Sequence, residues 1–216
     1  EMFDWNEMCD IELPIPSLTK QKELIAEYEV IENRIQLNKK LCATLEETAQ
    51  TIYKHWFEDF EFPDENGNPY KSSGGEMAVS EELGKEIPKG WRLETLADVI
   101  NLFISKRGKS KSIMNLQSLD KEFKFPVISA MNVNGGKIVK YDSIPYINIE
   151  DYNEWMSEKL EADDVLLTSE APLGETFYIA NISDFALSQR IFALRTDKKK
   201  LSGWFLYLWF KTHIAK

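Results

Sequence analysis

The sequence predicts an α+β chain in which a long coiled-coil-type helix is followed by a mixed α/β domain with an irregular sheet. Three observations carry this. Apolar residues recur at alternating steps of four and three from Leu24 to Trp56. No Gly or Pro falls between residues 17 and 62. From Arg92 onward the pattern breaks into short β-branched and aromatic runs separated by turn formers.

The helix comes first. Its repeating positions are Leu24, Tyr28, Ile31, Ile35, Asn38, Cys42, Leu45, Ala49, Ile52 and Trp56, a heptad seam sustained for more than four repeats. Pro14 and Pro16 lie before it and Pro63 after it, and Ser17 or Thr19 can cap its first turn. Forty-odd residues make a rod of about 60 Å, too long to bury its seam on one ordinary domain, so the seam calls for a second helix. Asn38 is the one clearly polar seam residue. Buried, it would fix register or orientation; otherwise it marks a wet edge. Cys42 reads as a small buried hydrophobe, and His55 as a surface residue.

Residues 61–92 are dense in turn formers and read as an ordered connector, anchored by Phe62, Tyr70, Met77 and Trp91. In the domain that follows, 93–102 is expected as a short helix capped by Thr95. Segments 125–130, 137–141, 164–168, 176–182 and 189–194 are expected as strands, with Gly135-Gly136 as a tight turn. Residues 202–216 are expected as a final helix.

Composition excludes several classes. Charged residues make up 29% and hydrophobic ones 43%, ordinary for a globular chain and unlike a disordered tail. The longest apolar run, Trp204 to Phe210, is far shorter than the roughly 20 residues of a membrane span. No secretory signal order opens the chain, and Cys9 and Cys42 make no disulfide framework, so a cytoplasmic protein is expected. The net charge of −10 argues against a polyanion partner until it is divided along the chain. Residues 101–140 carry eight bases against two acids. One strongly basic stretch on an acidic chain can still serve a polyanion.

Catalytic constellations are not apparent. His55 and His213 have no convergent carboxylates, no Cys/His metal spacing occurs, and no glycine-rich phosphate cradle is present. Asn68-Pro69-Tyr70 matches part of an amino-methyltransferase tetrapeptide without its second proline, and Pro63-Asp64-Glu65 lacks the Glu-x-Lys of a nuclease. No catalytic residue and no metal ligand is assigned.

The binding candidates are richer. Ser105, Lys106, Arg107, Lys109 and Lys111 alternate cations with small hydroxylated residues around Gly108, a composition suited to DNA phosphates. The alternative is a solvated surface loop. Asn132 and Asn134 have amides that can pair with adenine in the major groove. Thr168-Ser169-Glu170 and Ser188-Gln189-Arg190 lie at expected strand ends, which makes Ser169, Gln189 and Arg190 candidate base readers. Gln189 and Arg190 could equally serve an internal hydrogen bond or ion pair.

Several segments are familiar. Residues 13–22, Leu-Pro-Ile-Pro-Ser-Leu-Thr-Lys-Gln-Lys, and 31–38, Ile-Glu-Asn-Arg-Ile-Gln-Leu-Asn, resemble the conserved helix of type I restriction-modification specificity subunits. Residues 53–60 and 84–91 are similar to that family's passage into a target recognition domain, and 164–174 with 187–190 to segments near such a domain's end. The resemblance implies 1–16 as the tail of a preceding recognition domain, 17–60 as a spacer helix, 61–92 as a linker and 93–216 as a recognition domain. It implies a non-catalytic reader of one half of a bipartite double-stranded DNA target, and about half of a full subunit. The implied partners are methylation (M) subunits and a restriction (R) subunit. S-adenosylmethionine, ATP and Mg would sit on those chains and no cofactor on this one. The seam helix would pair with a second copy or with the other half of the subunit. No membrane is implied. The competing reading is a coiled-coil interaction scaffold that binds no DNA, which a weak salt dependence of its association would favour.

Overall fold

The computed structural model describes residues 4–108, 124–181 and 184–214. The chain divides into two compact units, Glu1–His55 and Trp56–Lys216.

The first unit is helical. A short helix, α1 (Trp5–Cys9), precedes the 36-residue α2 (Leu18–Tyr53). Ser17 caps α2 as expected: its hydroxyl accepts from the Lys20 N–H at 3.3 Å. The side-chain amide of Gln21 donates to the Pro16 carbonyl at 2.7 Å, fixing the entry of the chain. Leu24, Tyr28, Ile31, Ile35, Leu45 and Ile52 are all exposed, as are Asn38 and Cys42. Cys42 is therefore a solvent-facing thiol in the single chain, and the expected burial would need a second helix on the seam. At 1.5 Å per residue α2 is about 54 Å long, and among the described residues no other helix exceeds the 11 residues of Gly203–His213.

A π-helical turn, Lys54–Glu58, runs across the boundary, and the connector follows it in the second unit. The connector is more structured than its turn formers suggest. It holds an antiparallel hairpin of β1 (Met77–Ser80) and β2 (Lys85–Pro88). Its aromatic anchors pack on one another: Phe62 stacks between Tyr70, at 4.6 Å, and Trp91, at 5.5 Å. Phe57 meets Phe205 edge-on at 4.8 Å.

Only Leu96–Val99 of the expected 93–102 helix forms, as α3. Thr95 starts it with a reciprocal capping box to Asp98. The consecutive β-branched Val99 and Ile100 then favour extended backbone, and β3 (Ile100–Ser105) follows directly. Beyond it come β4 (Phe125–Ile128), a 3-10 turn Ala130–Asn132, β5 (Val133–Asn134), β6 (Lys137–Ile138) and a 3-10 turn Tyr141–Ser143. Next are β7 (Tyr146–Ile147), α4 (Ile149–Trp155), β8 (Val165–Ser169) and β9 (Leu173–Tyr178). The unit closes with β10 (Ala186–Leu187), β11 (Ile191–Thr196) and α5 (Gly203–His213).

Four strands form an antiparallel sheet in the order β3-β11-β8-β9. A smaller sheet, β10-β4-β7, pairs β10 parallel and β7 antiparallel to β4. The core lies where the two sheets meet. Ile104, Leu166, Ile191 and Ala193 from the first join Val127, Ile128, Ile147 and Leu187 from the second. Each Val, Leu or Ile among them contributes about 1.5–3 kcal/mol by leaving water. Trp155 of α4 enters the same cluster and donates its indole N–H to the Leu187 carbonyl at 2.8 Å. Helix α5 packs on β8 and β9, burying Leu206 and Phe210. Only glycine fits at the start of α5, because a Cβ on Gly203 would collide with the Asp163 carbonyl. Among the described residues no helix is long and apolar enough to cross a membrane.

Candidate nucleic-acid interface

The strand order decides which residues meet. β11 runs antiparallel to both neighbours, so its beginning lies beside the ends of β3 and β8. Ser105 pairs with Phe192, Thr168 pairs with Ile191, and the Ser169 N–H donates to the Arg190 carbonyl at 3.0 Å. Three segments far apart in sequence thus reach one end of the sheet: Ser105-Lys106-Arg107, Ser169-Glu170 and Gln189-Arg190.

Within this cluster the side chains divide by pleat. Residues two apart on a strand share a face. Ile104 and Lys106 face the core, so Lys106 is only 4% exposed and its ammonium lies 5.9 Å from the centre of the Trp155 ring. The expectation that Lys106 meets phosphate is corrected by that alternation: it is a core-facing cation held over an aromatic face. Ser105 and Arg107 take the opposite face. The Ser105 hydroxyl accepts from the Arg107 N–H at 3.2 Å, which starts a turn. Arg107 and Arg190 expose 63% and 62% of their side chains, and both approach one carboxylate, that of Glu170. Arg107 Nη2 donates to Oε1 at 3.4 Å, and Arg190 Nε lies 3.8 Å from Oε2. Gln189 is half-buried beside them. The Ser169 Oγ is buried and makes no hydrogen bond among the described residues.

The β5–β6 hairpin is docked at the same end. Gly135 and Gly136 both take positive φ, 57° and 77°, in the two-residue turn between Asn134 and Lys137. The Gly135 N–H donates to Glu175 Oε2 at 2.7 Å, and the Glu175 N–H donates to Thr168 Oγ1 at 2.9 Å. Glu175, invisible to motif reading because its partner is a backbone N–H forty residues away, is what ties the hairpin to β9. Asn134 is exposed at the hairpin, opposite Lys137.

Asn132 behaves differently. It is buried, and its Oδ1 accepts from the Ser129 N–H at 3.1 Å and the Ser129 hydroxyl at 2.6 Å. Its amide nitrogen donates to the Val139 carbonyl at 3.4 Å. The expectation that Asn132 reads adenine is corrected: its amide is spent capping the 3-10 turn that carries the chain into β5. Lys109 and Lys111 lie outside the described residues. No three His, Cys, Asp or Glu among the described residues are grouped as a metal ion would need.

A sequence model of the type I restriction modification DNA specificity domain matches residues 88–216. The chain belongs to this family. The matched region of the specificity domain runs from the end of β2 through α5 and contains the whole cluster at the strand ends. The chain is also similar to the type I restriction enzyme MjaIX specificity subunit of Methanocaldococcus jannaschii, with 28% identity over 144 residues, 66% of this chain and 30% of that protein. It spans under a third of the curated relative it matches. Among solved structures, the HsdS subunit from Thermoanaerobacter tengcongensis aligns over 92% of this chain and 42% of its own, at 17% identity and a TM-score of 0.43. A second, described as the structural basis of complex assembly and conformational transition of the type I R-M system, aligns over the same shares at 19% identity and a TM-score of 0.41.

Proposed function

We propose that this chain reads the sequence of one half of a bipartite target in double-stranded DNA, as the non-catalytic specificity part of a type I restriction-modification complex. The observation that carries this reading is the convergence of Arg107, Arg190 and Ser105 at one sheet end inside the family-matched region; Ser169, whose Oγ is buried, lies beside them without facing solvent. Arginine forks suit guanine edges and phosphates, and hydroxyls suit either. The exposed Asn134 adds an amide on the neighbouring hairpin. The duplex partner supplies the negative charge; the methylation subunits supply S-adenosylmethionine chemistry, and the restriction subunit supplies ATP and Mg chemistry. This chain needs no cofactor of its own.

In the same reading, the exposed seam of α2 is covered by a second helix, either from another copy of the chain or from the other half of a subunit. Two copies paired through it would read a symmetric site.

The deciding experiment co-expresses the chain with its methylation subunit in a methylation-free bacterium and maps modified adenines. A defined two-part motif is expected. A palindromic motif would mean two copies pair, and an asymmetric one that a different reader supplies the second half. Absence of both methylation and a co-purifying complex would overturn the reading.

A further inference from the structure

The cluster at the strand ends contains a carboxylate where a DNA-binding surface would be expected to carry none. Glu170 directs one oxygen toward each of the two exposed guanidiniums, Oε1 to Arg107 and Oε2 to Arg190. Three adjacent strands hold the three charges: β3 delivers Arg107, the middle strand β11 delivers Arg190, and β8 delivers Glu170, whose carboxylate meets both guanidiniums. The carboxylate is 44% exposed, so the pairs are open to water and to competitors. An oxyanion set between two arginines has the geometry that a backbone phosphate would take.

We propose that Glu170 is a positioning residue that stands in for phosphate in the free protein, so that DNA must displace a tethered carboxylate before it gains Arg107 and Arg190. This rests on the duplex-binding reading above and deepens it. The consequence is selective. Non-target duplex offers the arginines only its backbone, an exchange of one anion for another that gains little. A duplex that also satisfies the base-reading groups has further interactions to offset the displacement. Glu170 therefore lowers indiscriminate affinity, where a surface with two free arginines would hold any duplex. It also holds both guanidiniums near the sheet end, limiting the side-chain entropy lost when they are recruited.

The test measures binding of a labelled 30-base-pair duplex of random sequence across a salt series, for the wild type and for Glu170→Gln, an isosteric change that removes only the charge. Exposed ion pairs are individually weak, so tighter binding by about two- to fivefold is expected at low salt. The plot of log affinity against log salt should also steepen, by about 1 for each arginine newly available to a phosphate. A merely structural role would not change that slope. Both effects should vanish when Glu170→Gln is placed on an Arg107→Ala/Arg190→Ala background, because the proposal acts through those two side chains.

Unchanged affinity and slope in Glu170→Gln, with the wild type binding duplex, would overturn the inference and leave the proposed function standing. An increase that survives on the arginine-free background would also overturn it, assigning the effect to net charge. Failure of the wild type to bind duplex at low salt, alone and with its methylation subunit, would remove the proposed function and this inference with it.

Discussion

Arg195 forks onto Asp164: Nε donates to Oδ1 at 2.8 Å and Nη2 to Oδ2 at 2.9 Å, and Asp164 is completely buried. Nη1 reaches Glu161 at 2.7 Å, and Nη2 also donates to the Lys159 carbonyl at 2.7 Å. One guanidinium on β11 thus ties down the turn that leads into β8. The Asp164 hydrogen bond, opposed by desolvation, is the largest influence raising the Arg195 pKa, so the guanidinium stays charged.

Removing one side of this fork leaves a buried charge without its partner. Arg195→Ala should cost about 3–5 kcal/mol, seen as a large drop in the urea midpoint. Arg195→Lys should recover only part of that, since an ammonium cannot serve both carboxylate oxygens in a plane. Glu161→Gln, at the exposed end, should cost under about 1 kcal/mol. Equal losses from all three would contradict the fork as the anchor of that turn.

Asn132 and Asn134 should separate structure from reading. Asn132→Ala removes a cap and should lower stability by about 1 kcal/mol, with the preferred DNA motif unchanged. Asn134→Ala should leave the melting temperature within a degree or two and alter the preference at particular target positions by about 1–3 kcal/mol. Methylome mapping of each variant reads the second effect, and thermal melting the first.

Two tyrosines make an alkaline signature. Burial, and then the hydrogen bond its hydroxyl donates to Asp163 Oδ1 at 2.9 Å, raise the Tyr178 pKa above 10.0. Burial chiefly, with the Glu175 charge adding to it, raises Tyr207 likewise. The raised folded-state pKa favours the neutral phenol, so this stabilisation is fully present below about pH 10 and is lost as pH climbs through the folded values. The melting temperature should therefore fall above about pH 10, and Tyr178→Phe should soften that fall. Tyrosinate absorbance rising at its ordinary pH for all tyrosines would exclude the effect.

The seam of α2 should make the chain's association depend on concentration. Light scattering at micromolar protein should show a mass above 25.1 kDa, or a complex once a second chain carrying a matching helix is supplied. Ile31→Glu together with Leu45→Glu should abolish pairing with little effect on melting of the second unit, because both side chains are exposed in the single chain. Substituting Asn38 by Ile should change the partner register or stoichiometry if Asn38 is buried in the pair.

The long helix was legible because a period sustained over thirty residues has few alternative meanings, and Ser17 and Thr95 were legible because capping is local. The strands were harder. The expected 93–102 helix gave way to β3 because pairing with β11, nearly a hundred residues later, outweighs local preference. Two-residue strands such as β7 and β10 exist only through their pairing with β4 and leave no periodicity to find. In the site, Arg107 and Arg190 stood out as basic residues at strand ends, but residue type could not distinguish Lys106 from Arg107. The pleat did that. Nor could sequence distinguish Asn132, a cap, from Asn134 two positions on, because the distinction lies in which amide Ser129 reaches.

The meeting of three strand ends has a consequence for how such a surface can change over generations. Ser105-Lys106-Arg107, Ser169-Glu170 and Gln189-Arg190 lie at or beyond the last paired positions of β3, β8 and β11, whereas the shared cluster is built from Ile104, Leu166, Ile191 and Ala193 further in. The exposed members can be exchanged in one segment while the other two stay as they are, and the ladder beneath is untouched. A new target can therefore arise one segment at a time, each intermediate still folded, with Lys106 as the residue in that row that must stay because it belongs to the interior.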